Sequence, residues 1–231
     1  EREMTVAACM ESLFIENELL ADRIVTAMPG QFISSRVVPF SFHDPVKIGR
    51  AIFAEIEDVV PFNLDDMILD HQILGSNYGK TFALAVLTRK AFLKNFLDLL
   101  HRIDIDPKII DVDSLAFYNL SSYMDVESDE CFAMIDIGHE KTSLCIVREG
   151  VLRMFRSINL GGKYVTEFLA RDLETSFEHA QAEKHRVSQL VTHFDDCSDL
   201  SDDDRHIANR ITLASNGIVK ELGRTFYAFK T

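Results

Sequence analysis

At 231 residues the chain is long enough for one large or two small domains, and its formal net charge of −13 argues against a surface built to hold nucleic acid or anionic lipid, a local basic patch aside. Hydrophobic residues make up 47%, with 17 Phe among them, which supplies a real core and excludes a disordered chain. Four cysteines, Cys9, Cys131, Cys145 and Cys197, are widely spaced with no CxxC pair, so neither a zinc ribbon nor a disulfide framework is indicated, and reduced cytosolic thiols are expected.

No leader peptide is found, and no apolar run approaches the roughly 20 residues of a membrane helix. The chain starts abruptly at Glu1 and ends on Phe229-Lys230-Thr231, and it reads as a fragment of something longer. Residues 10–20 mix apolar and acidic side chains and suit a strand or an irregular lead-in. Two short extended runs, 24–27 and 32–38, flank the turn dipeptide Pro29-Gly30 and suggest a hairpin.

A six-element pattern follows. Residues 35–40 form a strand. Residues 43–60 form a helix with Asp44 as N-cap, Pro45 at its first position, and Ile48, Ala51, Ile52, Ile56 and Val59 on one face. Strands 67–74 and 81–88 are joined by a hairpin loop over 75–79. A second helix, 90–103, repeats apolar residues from Phe92 to Leu100, and Pro107 precedes a last strand, 108–112. The order β-α-β-β-α-β describes a small inserted domain over 35–113, between a first segment, 1–34, and a return to the core over 114–231. Residues 114–124 suit a helix capped by Ser114.

Residues 131–173 organise the rest. An apolar strand delivers one carboxylate, Asp136, before Gly138, and a second strand, 143–147, turns at Arg148-Glu149-Gly150. Gly161-Gly162 then opens a helix. An acid at a strand end can hold the hydration shell of a magnesium ion. The amides of Gly138, His139, Glu140, Lys141 and Thr142, with the Thr142 or Ser143 hydroxyl, can face phosphate oxygens. The free amides at Gly161 and Gly162 also suit an anion, and Gln181 and Lys184 share a helical face that can reach a ribose. Each feature also has a bland use, as a turn, a cap or a solvated lysine; only their order and spacing point to a nucleotide. Glu140 is placed to order a water beside a terminal phosphate, or is a solvated loop carboxylate.

Helices follow over 164–173 and 177–187. The acidic run 193–204 carries Asp195, Asp196, Asp199, Asp202, Asp203 and Asp204 without the Gly and terminal Glu of a calcium loop, and reads as solvated. A long amphipathic helix starts at Asp202 or Asp203. HExxH, GxSxG and Walker motifs are absent.

With those residues in view, the chain resembles the actin-like ATPase superfamily, and within it the PilM and FtsA branch. The match rests on Ile135-Asp136-Ile137-Gly138-x-x-x-Thr142, on Gly161-Gly162-x-x-x-Thr166-x-x-x-Ala170, and on Ala180-Gln181-Ala182-Glu183-Lys184. It extends upstream through Met28-Pro29-Gly30 and the helix that ends on Glu55 to Val60-Pro61-Phe62, followed by Asp70-His71-Gln72-Ile73-Leu74-Gly75, and downstream to the helix around Ile218 to Phe226, so it covers nearly the whole chain. The resemblance implies an α/β ribonuclease-H-like core with the small domain inserted in its first half, in a truncated chain. It further implies a cytoplasmic scaffold at the inner face of a bacterial inner membrane, serving type IV pili or type II secretion; in the latter the corresponding part belongs to GspL. Implied partners are inner-membrane platform proteins, through short cytoplasmic segments, and the motor ATPase, with no nucleic acid. Membrane association would run through partners or a missing C-terminal segment, and a homodimer is left open.

The chain departs from FtsA-like ATP binders at His139-Glu140-Lys141, where those have glycines, and at Gln181, where they have an acid. No opening Asp-x-Gly strand and no closing Gly-Gly loop are seen, so half a phosphate clamp is expected, with no cofactor in this fragment and ATP with Mg only in a fuller protein. Two readings stand: a non-enzymatic scaffold, or a Mg-ATP-dependent ATPase or small-molecule kinase with Asp136 organising the metal through water. A membrane-polymerising division protein is a third, and it would need a basic amphipathic C-terminal helix that is not visible.

Overall fold

The computed structural model describes residues 2–18, 23–61, 63–123, 130–191 and 199–230. They fall into two units, Glu1–Met134 with Cys145–Arg156, and Ile135–Leu144 with Ser157–Thr231. The first unit opens on a helix, α1 (Arg2–Glu16), where the sequence suggests a strand or lead-in. Ala7, Met10 and Phe14 are its covered residues, and Ala, Met, Leu and Glu favour helix. Exposed Met4, Leu13 and Ile15 around the rest of α1 blur the period in the sequence.

The hairpin expected across Pro29-Gly30 does not form. Strand β1 (Val25–Met28) and strand β2 (Ile33–Phe40) belong to different sheets. A 3-10 turn, Gly30–Phe32, joins them, and the Gly30 amide donates to the Asp113 carboxylate at 2.9 Å. The turn residues therefore redirect the chain between sheets instead of folding it back.

Helix α2 (Pro45–Glu57) is capped as its sequence dictates, Asp44 Oδ1 accepting from the amides of Val46 and Lys47 at 2.9 and 3.3 Å. Ile48, Ile52 and Ile56 are buried against Phe40, Leu64, Ala83, Ala85 and Leu87, whereas Val59 lies past the helix end and is exposed. Strands β3 (Met67–Asn77) and β4 (Lys80–Arg89) run longer than expected, so the loop shrinks to a two-residue turn, Tyr78-Gly79, with φ of 50° and 72°. The sheet order is β2-β4-β3, antiparallel throughout, with a register shift between Ile73 and Gly75. Gly75, at φ 146°, lets β3 bulge there.

Central β4 is covered on both faces, which explains its nearly unbroken apolar run. Ala83, Ala85 and Leu87 face α2; Leu84 and Val86 pack with Val112, Met134, Cys145, Leu152 and Phe155. Helix α3 (Lys90–His101) follows, its Phe92 ring 5.0 Å from that of Phe32. The order β-α-β-β-α-β thus appears in the chain, but β5 (Ile109–Val112) leaves this sheet and pairs in parallel with β1. Helix α4 (Asp113–Asn119) gives way to a 3-10 turn, Leu120–Tyr123. Ser114 does not cap it: the residue is buried inside α4, its hydroxyl on Asp113 and its carbonyl accepting from Cys145 Sγ at 3.2 Å.

Strands β6 (Cys131–Ile137), β7 (Thr142–Arg148) and β8 (Val151–Ile158) hydrogen bond in that order. Central β7 is buried from Thr142 to Val147, and the turn Glu149-Gly150 has φ of 55° and 68°.

In the second unit, α5 (Gly162–Asp172), α6 (Phe177–Val187) and α7 (Asp202–Lys230) share a core of Val165, Leu169, Ala180, Ile207, Ile211 and Ala214. Of the acidic run, Asp195 and Asp196 lie outside the described residues. Asp202, Asp203 and Asp204 form the first turn of α7, where carboxylates complement the helix dipole.

Candidate functional site

The second unit holds the loop between β6 and β7 and the start of α5. Asp136 stands exposed near the end of β6, as does His139 in the loop. The loop closes on itself, the Gly138 amide donating to the Lys141 carbonyl at 2.9 Å. Its outward carbonyls then meet α5: the Gly162 amide donates to Gly138 O at 2.9 Å and the Lys163 amide to His139 O at 2.7 Å. Two of the four orphan amides of a helix start are thereby satisfied by the protein itself.

This contact explains the first glycine. A Cβ on Gly161 would sit 2.4 Å from Gly138 O and 2.7 Å from His139 O, so no side chain fits between loop and helix. Gly162 is under no such pressure, because a Cβ there would first meet Lys184 Nζ at 3.5 Å. Thr142 is buried and donates its hydroxyl to Leu160 O at 2.7 Å, fixing the other end of the loop.

Lys184 reaches back from α6 to the same place. Its Nζ donates to Gly162 O at 3.0 Å and to Thr166 Oγ1 at 2.7 Å, and Thr166 in turn donates to Gly162 O at 3.0 Å. Burial pushes the Lys184 amine below its ordinary range, and it does the same to Lys141. Gln181, one turn earlier on α6, buries its Oε1 without a protein hydrogen bond. Glu140 is half-buried, 3.8 Å from Lys163 Nζ.

The structure therefore gathers Gly138, His139, Thr142, Gly161, Gly162 and Lys184 around one point, the N-terminus of α5. Sequence reasoning assigns no role to Thr166 or to the backbone carbonyls of Gly138 and His139, which accept the first two amides of α5. A Thr four residues after the second glycine was the available signal. Beside Lys184 opens a cavity of about 280 Å³, lined also by His185, Ser188, Gln189, Leu190 and Ile211. Among the described residues no three His, Cys, Asp or Glu side chains are gathered as metal ligands.

Residues 3–195 match the family model described as Type IV pilus assembly protein PilM. The chain belongs to the PilM family. Cell division protein FtsA of Staphylococcus epidermidis is 28% identical over 151 residues, 63% of this chain and 32% of the relative. A chain of a PilM-PilN type IV pilus biogenesis complex superposes with a TM-score of 0.78 at 21% identity, covering 98% of this chain and 64% of the other. MreB5 of Spiroplasma citri bound to ADP gives 0.53 at 12% identity, covering 94% and 55%. These likenesses establish the actin-like ATPase fold expected from the motif residues, in a chain that spans less than two thirds of each of these relatives. No helix among the described residues is long and apolar enough to cross a membrane.

Proposed function

We propose that the chain is part of a non-enzymatic actin-like scaffold at the inner face of a bacterial inner membrane. There it holds short cytoplasmic segments of pilus platform proteins and engages the motor ATPase. The family match over residues 3–195 carries this reading. Likeness to a chain from a PilM-PilN complex supports a platform protein as partner. The closed loop supports a role without nucleotide turnover, because the Gly138, Gly162 and Lys163 amides, the Thr142 hydroxyl and two of the three Lys184 Nζ donors are engaged inside the protein. Pull-down of platform-protein cytoplasmic segments and of the motor ATPase tests the proposal; a chain that ignores both would sink it.

A second reading, Mg-ATP binding by a fuller protein, is favoured by the cavity beside Lys184. In it Asp136 would organise Mg through water, and Gly138 to Thr142, Gly161, Gly162 and Lys184 would line the phosphate side. Calorimetric titration with Mg-ATP decides: tight binding lost on Asp136→Asn selects this reading, and no heat of binding supports the scaffold.

A further inference from the structure

In the first unit two hairpin tips meet. One is the β3-β4 turn at Tyr78-Gly79 and the other the β7-β8 turn at Glu149-Gly150, built from segments about seventy residues apart in the chain. The Glu149 carboxylate is the junction. It accepts from Asn77 Nδ2, from the Tyr78 hydroxyl at 3.5 Å and from Arg153 NH2 at 3.5 Å. The backbone on its side is pinned: the Glu149 amide donates to Glu130 O at 3.1 Å, and the Tyr118 hydroxyl donates to Gly150 O at 3.2 Å.

Arg153 makes this junction more than a surface tie. Its side chain is 14% exposed, its guanidinium lies 4.3 Å from the Phe82 ring centroid, and its Nε is buried with no hydrogen bond. Glu149 is the carboxylate that balances it, and removing one partner of a desolvated pair leaves the other stranded. The bulge in β3 aims the tip at this point: Gly75 lies against Val151, whose Cγ2 would be 3.6 Å from a Cβ on the glycine. Tyr78 itself is 86% exposed, so solvent and solutes reach the junction.

We propose that Glu149 is a latch on the β2-β4-β3 sheet. Closed, it fixes the tip of the β3-β4 hairpin on the β7-β8 hairpin. Open, it lets that hairpin move on the apolar contacts of Leu74, Leu84 and Val86 with Leu152 and Phe155. The device is local, because the second unit contributes none of its residues.

Amide hydrogen exchange on the chain, compared with Glu149→Gln and Asn77→Ala, reads the latch directly. In both variants the amides of residues 74–82 are expected to exchange at least about tenfold faster, with α5 to α7 unchanged. Unchanged protection at 74–82, or equal acceleration along the whole chain, overturns the proposal. Should Glu149→Gln alone fail to fold, its combination with Arg153→Met removes the stranded cation and is judged by the same two outcomes.

Discussion

At the scale of single residues, two neighbouring glycines give opposite lessons about what a motif means. Gly161 and Gly162 read alike in the sequence, as a pair before a helix. Only Gly161 is forced, by backbone oxygens 2.4 and 2.7 Å from where its Cβ would be. Gly161→Ala should therefore cost about 2–3 kcal/mol, the range of overpacking against atoms that cannot step aside. Gly162→Ala should lie within about 0.5 kcal/mol of the parent or above it, since alanine gains in a helix and only a flexible lysine is near. Urea unfolding of both variants checks this, and equal losses would refute the close-approach account. The Cys145 thiol offers a chemical test: burial pushes it up to about 12, and its Sγ donates to Ser114 O. At pH 8 only about one molecule in ten thousand then carries the thiolate. A thiol reagent should label exposed Cys9 and Cys131 in the native chain and reach Cys145 only after unfolding.

Between elements, α6 and α7 are tied by Arg186, which bonds Glu183 on its own helix and Asp204 on the next at 2.7 Å each. The Arg186 guanidinium holds both carboxyls below their usual range, with Ser201 a lesser cause at Asp204. A carboxyl whose folded pKa is depressed adds stability above its unfolded value, near 4, and loses it as pH falls through the folded value. Arg186→Met should therefore be less stable than the parent at pH 7, with the gap closing below about pH 3. Both carboxylates are half-buried but remain in contact with solvent, so the gap is small, and high salt should narrow it. Unfolding curves at the two pH values measure it; a gap that persists in acid would assign the loss to packing. Elements were legible where one local rule decided them. Asp44 with Pro45 and the 48-52-56 stripe each act within a few residues. The sequence misled where a distant partner decided. Whether β1 and β2 form a hairpin depends on β5 and β4, some 50 to 80 residues away, and the length of the 75–79 loop depends on how far β3 and β4 stay paired. The candidate site divides the same way. Its candidates rest on spacing, but the direction of each donor, toward a loop carbonyl or out to solvent, is set by contacts the spacing does not contain.

For the whole molecule, the order of the motifs carried the fold, because strand-acid-loop, Gly-Gly helix and the later lysine helix succeed one another as a set. Composition makes a separate statement, about partners. The chain carries 37 Asp and Glu against 24 Lys and Arg. Nucleic-acid affinity rests on releasing counterions from phosphates that lysine and arginine neutralise, and a surplus of carboxylates repels the same phosphates at long range. A labelled DNA duplex should therefore show no anisotropy change with up to about 50 μM chain at about 50 mM salt, although nonspecific binders take up DNA with Kd of about 1–100 μM. The same surplus favours basic platform segments: if the proposed scaffold role holds, their association rate should fall roughly tenfold or more as salt rises from about 0.05 to 0.5 M, while dissociation changes little. Stopped-flow mixing separates the two rates. Salt-independent association would mean that apolar contacts alone select the partner, and a salt-sensitive DNA signal would reveal a basic patch that the net charge conceals.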